Sequence, residues 1–286
     1  MIKNKFILYI FIFLTTLGMA NGDTDINDLK VDYEVNWKNK QLEITVASLI
    51  DTISKPLPSV KYSIETKTKQ NLPYILLNGI ELLTVDSRTK GKDYIMLHPS
   101  VITSIFDISP QLVKVYSIVS NDLKTLTIKY TLDLYPHIAE LFIPHSRANK
   151  LSAIMDFIPS ADFTGIVIYV DEKLPMYGKQ STGSFNPSLF PKIFDEKLNI
   201  VMDLLMVDPE SIKQNGAVGY QTLSDTLDLE RIGETPLELK ARSIFGINNT
   251  DLLISTRDAV KILSRQNNLE LIKQGKILII YSDDNK

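Results

Sequence analysis

The chain has 286 residues, no cysteine, and 31 Lys and Arg against 34 Asp and Glu, which gives a formal net charge of −3. The lack of cysteine excludes disulfides, thiolate catalysis, cysteine-type zinc sites and a lipid anchor attached through cysteine. The charges are spread without a basic stripe, so nothing supports binding to nucleic acid. With 44% hydrophobic and 23% charged residues, the composition is typical of a folded globular protein.

The first twenty residues have the pattern of a secretory signal peptide. Lys3 and Lys5 precede an uncharged, mostly apolar run over residues 6–18, and Ala20 supplies a small residue before a predicted cleavage point. The apolar run is shorter than the roughly 20 residues that a membrane-spanning helix needs. We therefore predict a periplasmic protein, which a membrane would hold only if the signal peptide were retained.

The order of apolar patterns after this segment predicts two α+β domains. A flexible lead-in over residues 21–30 is followed by an N-terminal domain, residues 31–158, and a C-terminal domain, residues 159–286. The first is expected to pack long helices on an antiparallel sheet. The second is expected to be a mixed α/β unit that ends in a β-α-β crossover.

Within the N-terminal domain, apolar residues at alternate positions predict strands and a three- to four-residue period predicts helices. A turn at Lys38–Lys40 joins the first two strands, and a cluster at Ser120–Asp122 joins the last two. Pro73 lies inside the long helical pattern and should kink or divide that helix. The predicted elements are strands at 31–37 and 42–49, helices at 59–85 and from Pro99, and strands at 112–119 and 123–134.

The C-terminal domain begins with Gly165–Val170, an uninterrupted apolar run that predicts a central strand buried on both faces. Residues 237–245 alternate and predict one half-exposed strand. Near the end, Ser255 and Asp258 form a capping-box pattern at the start of a helix. That helix lies between strands at 252–255 and 277–281, which is the predicted parallel crossover.

No pattern in the sequence indicates a catalytic residue, a cofactor site or a metal site. His98, His137 and His145 each adjoin a proline, and their spacing matches no metal-binding signature. Gly183-Ser184 lacks the second glycine and the strand–turn–helix setting of a hydrolase nucleophile. The acidic pair Asp171-Glu172 is better explained as part of a solvated turn, and we predict that the protein is not an enzyme.

Residues 172–191 are the best candidate for a functional segment, because long irregular loops inside compact domains are usually functional. Tyr177, Phe185 and Phe190 are the candidate interaction residues in it. The alternative is that these rings only pack against the protein core, which is the commoner role of single aromatic residues.

Several segments resemble a family of uncharacterised exported bacterial proteins related to flagellar assembly protein T and small outer-membrane lipoproteins. The similar segments include 163–169, 187–195 and 251–259, with Trp37 and the strand–helix order of the N-terminal domain. The resemblance extends over roughly residues 31–282 and implies a cell-envelope protein. It carries no catalytic residue to transfer. Many relatives are lipidated, whereas this chain has no cysteine to lipidate.

The leading hypothesis is an exported, non-enzymatic protein that binds or scaffolds an envelope component, with a flagellar or other envelope protein as its partner. The alternative is an exported hydrolase or carbohydrate-binding protein that uses residues 172–191. A deep pocket with converging acids or histidines beneath that loop would favour the alternative. A shallow surface with an open sheet edge would favour protein binding.

Overall fold

The computed structural model describes residues 29–51, 55–156 and 158–282, and the backbone of residues 24–26. The predicted signal peptide lies outside these described residues, as does half of the lead-in, residues 21–23 and 27–28. Helices and sheets are mixed along the chain, with an antiparallel N-terminal sheet and a mixed C-terminal region. The predicted α+β class is therefore confirmed.

The N-terminal unit is built on a five-stranded antiparallel sheet in the order β1-β2-β3-β5-β4. Its strands are β1 (Thr24–Ile26), β2 (Leu29–Asn36), β3 (Gln41–Leu49), β4 (Val113–Val119) and β5 (Thr125–Asp133). Leu42, Ile44 and Val46 on β3 are buried, and Ile44 lies opposite the buried Tyr130 on β5. Period-two alternation thus places one face of this sheet in the core. Both predicted turns join the strands as expected.

Three α-helices cover the buried face of this sheet and its ends: α1 (Leu57–Leu82), α2 (Gly91–Leu97) and α3 (Val101–Ile108). Short helical turns follow at Ser109–Gln111, Leu134–Ile138 and Ala139–Phe142. Pro73 does not divide α1, so that part of the prediction is wrong. Its missing N–H leaves the carbonyl of Lys69 without a helical partner, and Lys69 is exposed, so water can satisfy it.

Short strands in three sheets form the C-terminal unit. A parallel sheet has the order β11-β15-β6-β12, a mixed sheet has the order β10-β9-β14-β13, and β7 pairs with β8. The strands are β6 (Ile166–Tyr169), β7 (Leu174–Pro175), β8 (Thr182–Gly183), β9 (Ile193–Asp195), β10 (Ile200–Met202), β11 (Gly219–Thr222), β12 (Leu237–Lys240), β13 (Ser243–Phe245), β14 (Asp251–Ile254) and β15 (Ile277–Tyr281). As predicted, β6 is central and buried.

The helices of this unit are α4 (Pro209–Asn215), α5 (Leu229–Ile232), α6 (Thr256–Leu263) and α7 (Gln266–Lys273), with a single turn at Leu204–Met206. The predicted cap is present at the start of α6. The backbone N–H of Asp258 donates to Ser255 Oγ at 3.1 Å, and the hydroxyl of Ser255 donates to Asp258 Oδ2 at 2.7 Å. This satisfies one of the free N–H groups of the first helical turn.

Two topological predictions for the C-terminal unit are wrong. Residues 237–245 form two strands in different sheets, since β12 pairs with β6 and β13 pairs with β14. The terminal strand–helix–strand order is present, but β14 and β15 also lie in different sheets. The expected crossover within one sheet is therefore absent from the described residues, because the chain leaves one sheet before α6 and joins the other after α7.

The hairpin turn between β2 and β3 connects the two units. The ring of Trp37 packs edge-on against Tyr220 with centroids 5.3 Å apart, and Lys38 forms an ion pair with Asp225. In the same turn, burial lowers the pKa of Lys40, and the nearby charge of Arg231 lowers it further. Buried residues of both units form one continuous hydrophobic cluster. We call this contact region the joint.

Two further contacts complete the joint. The segment Thr84–Lys90, after α1, accepts backbone hydrogen bonds from the C-terminal unit, including Leu189 N to Thr84 O at 3.1 Å and Phe190 N to Val85 O at 2.9 Å. In the second contact, a Cβ atom added at Gly216 would lie 2.5 Å from the buried ring of Tyr135. The units therefore meet through backbone hydrogen bonds and close backbone packing as well as through side chains.

Candidate interaction surface

The segment 172–191 is more ordered than the sequence predicts. It contains the small β7–β8 hairpin, in which Leu174 lies opposite Gly183. The hairpin docks on the edge strand β13, where the N–H of Tyr177 donates to the carbonyl of Ile244 at 2.9 Å. The prediction of an irregular loop is therefore wrong in its first half, because hydrogen bonds to β13 hold that half in place.

Two of the three predicted interaction residues cannot contact a partner in this structure. Phe185 is 6% exposed and Phe190 is 3% exposed. Phe185 packs near Tyr220 and Tyr281, with ring centroids about 6 Å away. These rings fill the core beneath the segment, as the alternative explanation of single aromatic residues expected. Phe185 and Phe190 are therefore core residues, and the prediction that they are interaction residues is wrong.

Tyr177 is the exposed member of the three, at 39%. Its ring lies 6.0 Å from that of Phe245 on β13, and Phe245 lies 5.7 Å from Phe194 on β9, both in edge-to-face geometry. Ile200 on β10 pairs directly with Phe194 and is 43% exposed. We call Tyr177, Phe194, Ile200 and Phe245 the aromatic patch.

The patch follows from strand alternation in the mixed sheet. On β9, Ile193 and Asp195 are buried, whereas Phe194 points to the opposite face and is only half-buried. Phe245 occupies the corresponding outer position on β13. Because three short strands and the β7 hairpin meet here, four apolar side chains from distant parts of the sequence share one surface. Edge-to-face rings with an exposed margin are typical of protein-binding surfaces.

A depression of about 470 Å³ lies at the carboxyl ends of the parallel strands, where ligands bind in many open α/β sheets. Its walls include Asp171, Glu172, Glu238 and Lys240. Lys240 forms an ion pair with Asp171 at 2.9 Å. Burial, with the charge of Glu238 and a hydrogen bond to it, raises the pKa of Tyr169 at the margin. This depression opens at the start of the 172–191 segment, not beneath it, where the core is filled.

The histidines of the described chain hold separate positions. His145 Nε2 is 2.9 Å from the carbonyl of Val207, and the ring of His98 packs on Tyr94 with centroids 4.5 Å apart. Within residues 29–282 as described, three or more His, Asp or Glu side chains never come together in a metal-binding arrangement. The described helices also include none with the length and apolar character to cross a bilayer.

Phe194, Ile200 and Phe245 are patch residues that sequence reasoning missed. Phe194 lies in a strand of only three residues, too short for alternation to show which face it takes. The alternation over residues 237–245 predicts one long strand that includes Phe245, whereas the sheet that Phe245 joins is set by pairing with β14. Only the pairing of the strands shows that these residues share one surface.

Fold and surface together define a two-unit α+β protein with an exposed aromatic patch on its second unit. Comparison with protein families finds matches for both units. Residues 28–141 match the family model of the N-terminal domain of Treponema pallidum Tp0624, and residues 165–283 match that of its second domain. The chain is thus similar to two domains of that protein, in the same order. No curated protein matches the chain.

Proposed function

We propose that this chain is an exported, non-enzymatic protein that binds or scaffolds a component of the cell envelope through the aromatic patch. The export signal in the sequence supports the location, and the patch supports the binding. Flagellar assembly proteins are the first partners to test, because of the family resemblance stated above. The observation that carries the proposal is the contact series Tyr177–Phe245–Phe194, continued by Ile200, in which Tyr177 and Ile200 are exposed and the two phenylalanines are half-buried.

The patch suits a protein partner better than a small molecule. Its rings lie on the outer face of a sheet, so they offer area and not enclosure. Aromatic rings are enriched in the central, desolvated part of protein interfaces, where a few residues supply most of the binding energy. Tyr177 adds a hydroxyl at the margin, which can hydrogen-bond to a partner while the ring packs.

The test is site-specific crosslinking in intact cells. A photoreactive amino acid is placed at Tyr177 and, as a matched control, at Met155, a fully exposed apolar residue outside the patch. We expect a defined envelope protein to crosslink at position 177 and to be missing at position 155. In a second step, Ile200→Asp should reduce the crosslink on the order of tenfold, since a charge at a central contact is desolvated on binding.

The contrary result is also clear. If positions 177 and 155 give the same products, or if Ile200→Asp leaves the crosslink unchanged while the protein stays folded, the patch is not the binding surface. Circular dichroism and the thermal midpoint of each variant show whether the fold is intact.

The depression beside Asp171 favours a second candidate function, an exported hydrolase or carbohydrate-binding protein. Asp171, Glu172 and Glu238 supply carboxylates at the end of a sheet where ligands commonly bind. Purified peptidoglycan fragments are the probe, with calorimetry for binding and product analysis for cleavage. Binding or cleavage that Glu238→Gln removes would support this function over the first. The absence of both would count against it.

A further inference from the structure

We propose that the free edge of β4 binds the same edge of a second copy, so that two five-stranded sheets join into one across a two-fold axis. This surface lies on the N-terminal unit and is independent of the aromatic patch. β4 is the last strand of its sheet, and its only neighbour within the described residues is β5. An unpaired edge offers backbone N–H and C=O groups to another strand.

The half of β4 that follows its bulge is suited to pairing. The register with β5 shifts between Lys114 and Tyr116, and from Tyr116 to Val119 the strand is regular. This half has neither a charged residue nor a proline, the two devices that most often protect edge strands. Tyr116 and Ile118 lie on the outer face of the sheet, and Ile118 is 57% exposed.

Ser117 marks the position of the axis. Ser120 N donates to Thr125 O on β5 at 2.8 Å, and backbone groups alternate in direction along a strand, so those of Ser117 are directed to the free edge. There Lys61 Nζ lies 3.5 Å from the Ser117 carbonyl. A two-fold axis through Ser117 aligns the strands antiparallel. It places Tyr116 of each copy opposite Ile118 of the other, an aromatic–β-branched pair that stabilises antiparallel strands. One such interface uses the same residues on both sides, as two-fold symmetry requires.

The charges of one copy beside the axis are complementary to those of the other copy. Lys61 and Glu65 lie one turn apart on α1, and both reach Ser117, whose hydroxyl donates to Glu65 Oε1 at 2.5 Å. The axis sets the two α1 helices antiparallel, which brings Lys61 of each copy beside Glu65 of the other. The same register places Lys114, whose Nζ lies 3.8 Å from Glu65 Oε1 of its own chain, opposite the turn of the second copy that contains the exposed Asp122. This complementarity is the reason to choose a second copy as the occupant.

The first measurement is sedimentation equilibrium of the purified protein from micromolar to several hundred micromolar. We expect a monomer–dimer equilibrium that Ile118→Lys shifts fully to monomer, whereas Ile247→Lys, at an even more exposed site on the other unit, has no effect. A wild-type protein that remains monomeric across this range would overturn the proposal. So would a dimer that Ile118→Lys leaves intact.

Charge exchange tests the register. Lys61→Glu alone or Glu65→Lys alone replaces two attractive contacts with repulsive ones and should weaken the dimer on the order of tenfold. The double variant K61E/E65K restores opposite charges across the axis and should recover the wild-type dimerisation constant. A double variant as weak as the single ones would contradict this arrangement.

The absence of cysteine allows a direct measurement of the axis. Ser117→Cys should form a disulfide-linked dimer under mild oxidation, because the two positions 117 face each other. Thr127→Cys, on the neighbouring strand β5, is the control and should stay monomeric. Equal rates of crosslinking for the two variants would exclude an axis at Ser117.

Discussion

The two units of this protein are built in different ways. In the N-terminal unit, β2, β3, β4 and β5 have seven to nine residues each and α1 has 26. In the C-terminal unit, the described strands have at most five residues and the helices at most eight. Long elements bury many side chains in regular rows, whereas short elements depend on what surrounds them.

This difference shows in the ends and turns of the elements. In the N-terminal unit, α1 and α3 begin without a side-chain cap, whereas at α2 the N–H of Lys90 donates to Asp93 Oδ2 at 2.9 Å. In the C-terminal unit, Ser255 caps α6 and Asp228 caps α5, while α4 and α7 begin without a side-chain cap. All the described glycines with positive φ also lie in the C-terminal unit or its joint. We infer that the C-terminal unit relies more on glycine turns and on the joint, while the N-terminal unit is stabilised mainly by its own sheet and helix.

The largest expected effect is that of Gly216→Ala in the joint. Gly216 has φ = +85° and ψ = 161°, a region open almost only to glycine, and a Cβ atom would lie 2.5 Å from Tyr135 Cζ. We expect a loss of roughly 2–4 kcal/mol in the free energy of unfolding. Hydrogen exchange should show that β11 loses protection before β3 and β5 do.

The control for this variant is Gly178→Ala, since Gly178 also has positive φ but no atom within 4 Å of an added Cβ. It should cost only about 1 kcal/mol, from the backbone conformation alone. Equal losses for the two variants would show that contact with Tyr135 is unimportant. Simultaneous loss of protection in both units would contradict the proposed difference between them.

A smaller effect is expected from the helix caps, which compare the two units directly. Ser255→Ala removes the hydrogen bond that Ser255 Oγ accepts from the N–H of Asp258 and should cost about 1 kcal/mol. Ser100 precedes α3 but makes no cap hydrogen bond and is exposed, so Ser100→Ala should change stability by less than about 0.5 kcal/mol. Denaturant unfolding measures both, and a larger loss at Ser100 would refute the comparison.

The smallest effect, which is present at neutral pH and disappears in acid, is expected at the ion pair of the joint. The hydrogen bond from Lys38 lowers the pKa of Asp225 to about 2, against about 3.9 in an unfolded chain. The folded state thus binds this proton less readily than the unfolded state does. The pair therefore stabilises the fold above about pH 4, and this contribution disappears as the pH falls toward 2.

Asp225→Asn removes this dependence, so the variant should differ from the wild type at pH 6 and converge with it near pH 2. Lys38→Met should produce the same convergence by raising the pKa of Asp225. Unfolding midpoints between pH 2 and 6 test both variants. A difference from the wild type that is constant over this range would show that the pair does not join the units through its charge.

Much of the fold could be predicted from local patterns. Alternation in β3 and β5, the apolar run of β6 and the cap at Ser255 each depend on residues a few positions apart, and all are found in the structure. The helix α2 was missed because seven residues give hardly two turns of periodicity. The continuity of α1 through Pro73 was missed because it depends on the exposure of the carbonyl at Lys69.

The candidate site was less predictable than the fold. Of its four patch residues, only Tyr177 was named from the sequence, and the other two named rings, Phe185 and Phe190, are in the core. An aromatic residue has the same local pattern whether it fills a core or lies on a surface. The difference is made by what packs over it, which comes from distant segments.

The sequence by itself determined the α+β class, most strand positions and the capped start of α6, because period, turn chemistry and caps act over a few residues. Only the tertiary structure decided which sheet β12, β13, β14 and β15 join, which aromatic side chains are exposed and which edge stays unpaired. These features depend on pairing between segments far apart in the chain. Backbone hydrogen bonds can form with any strand that the rest of the fold brings into register, so the local sequence of a strand does not select its partner.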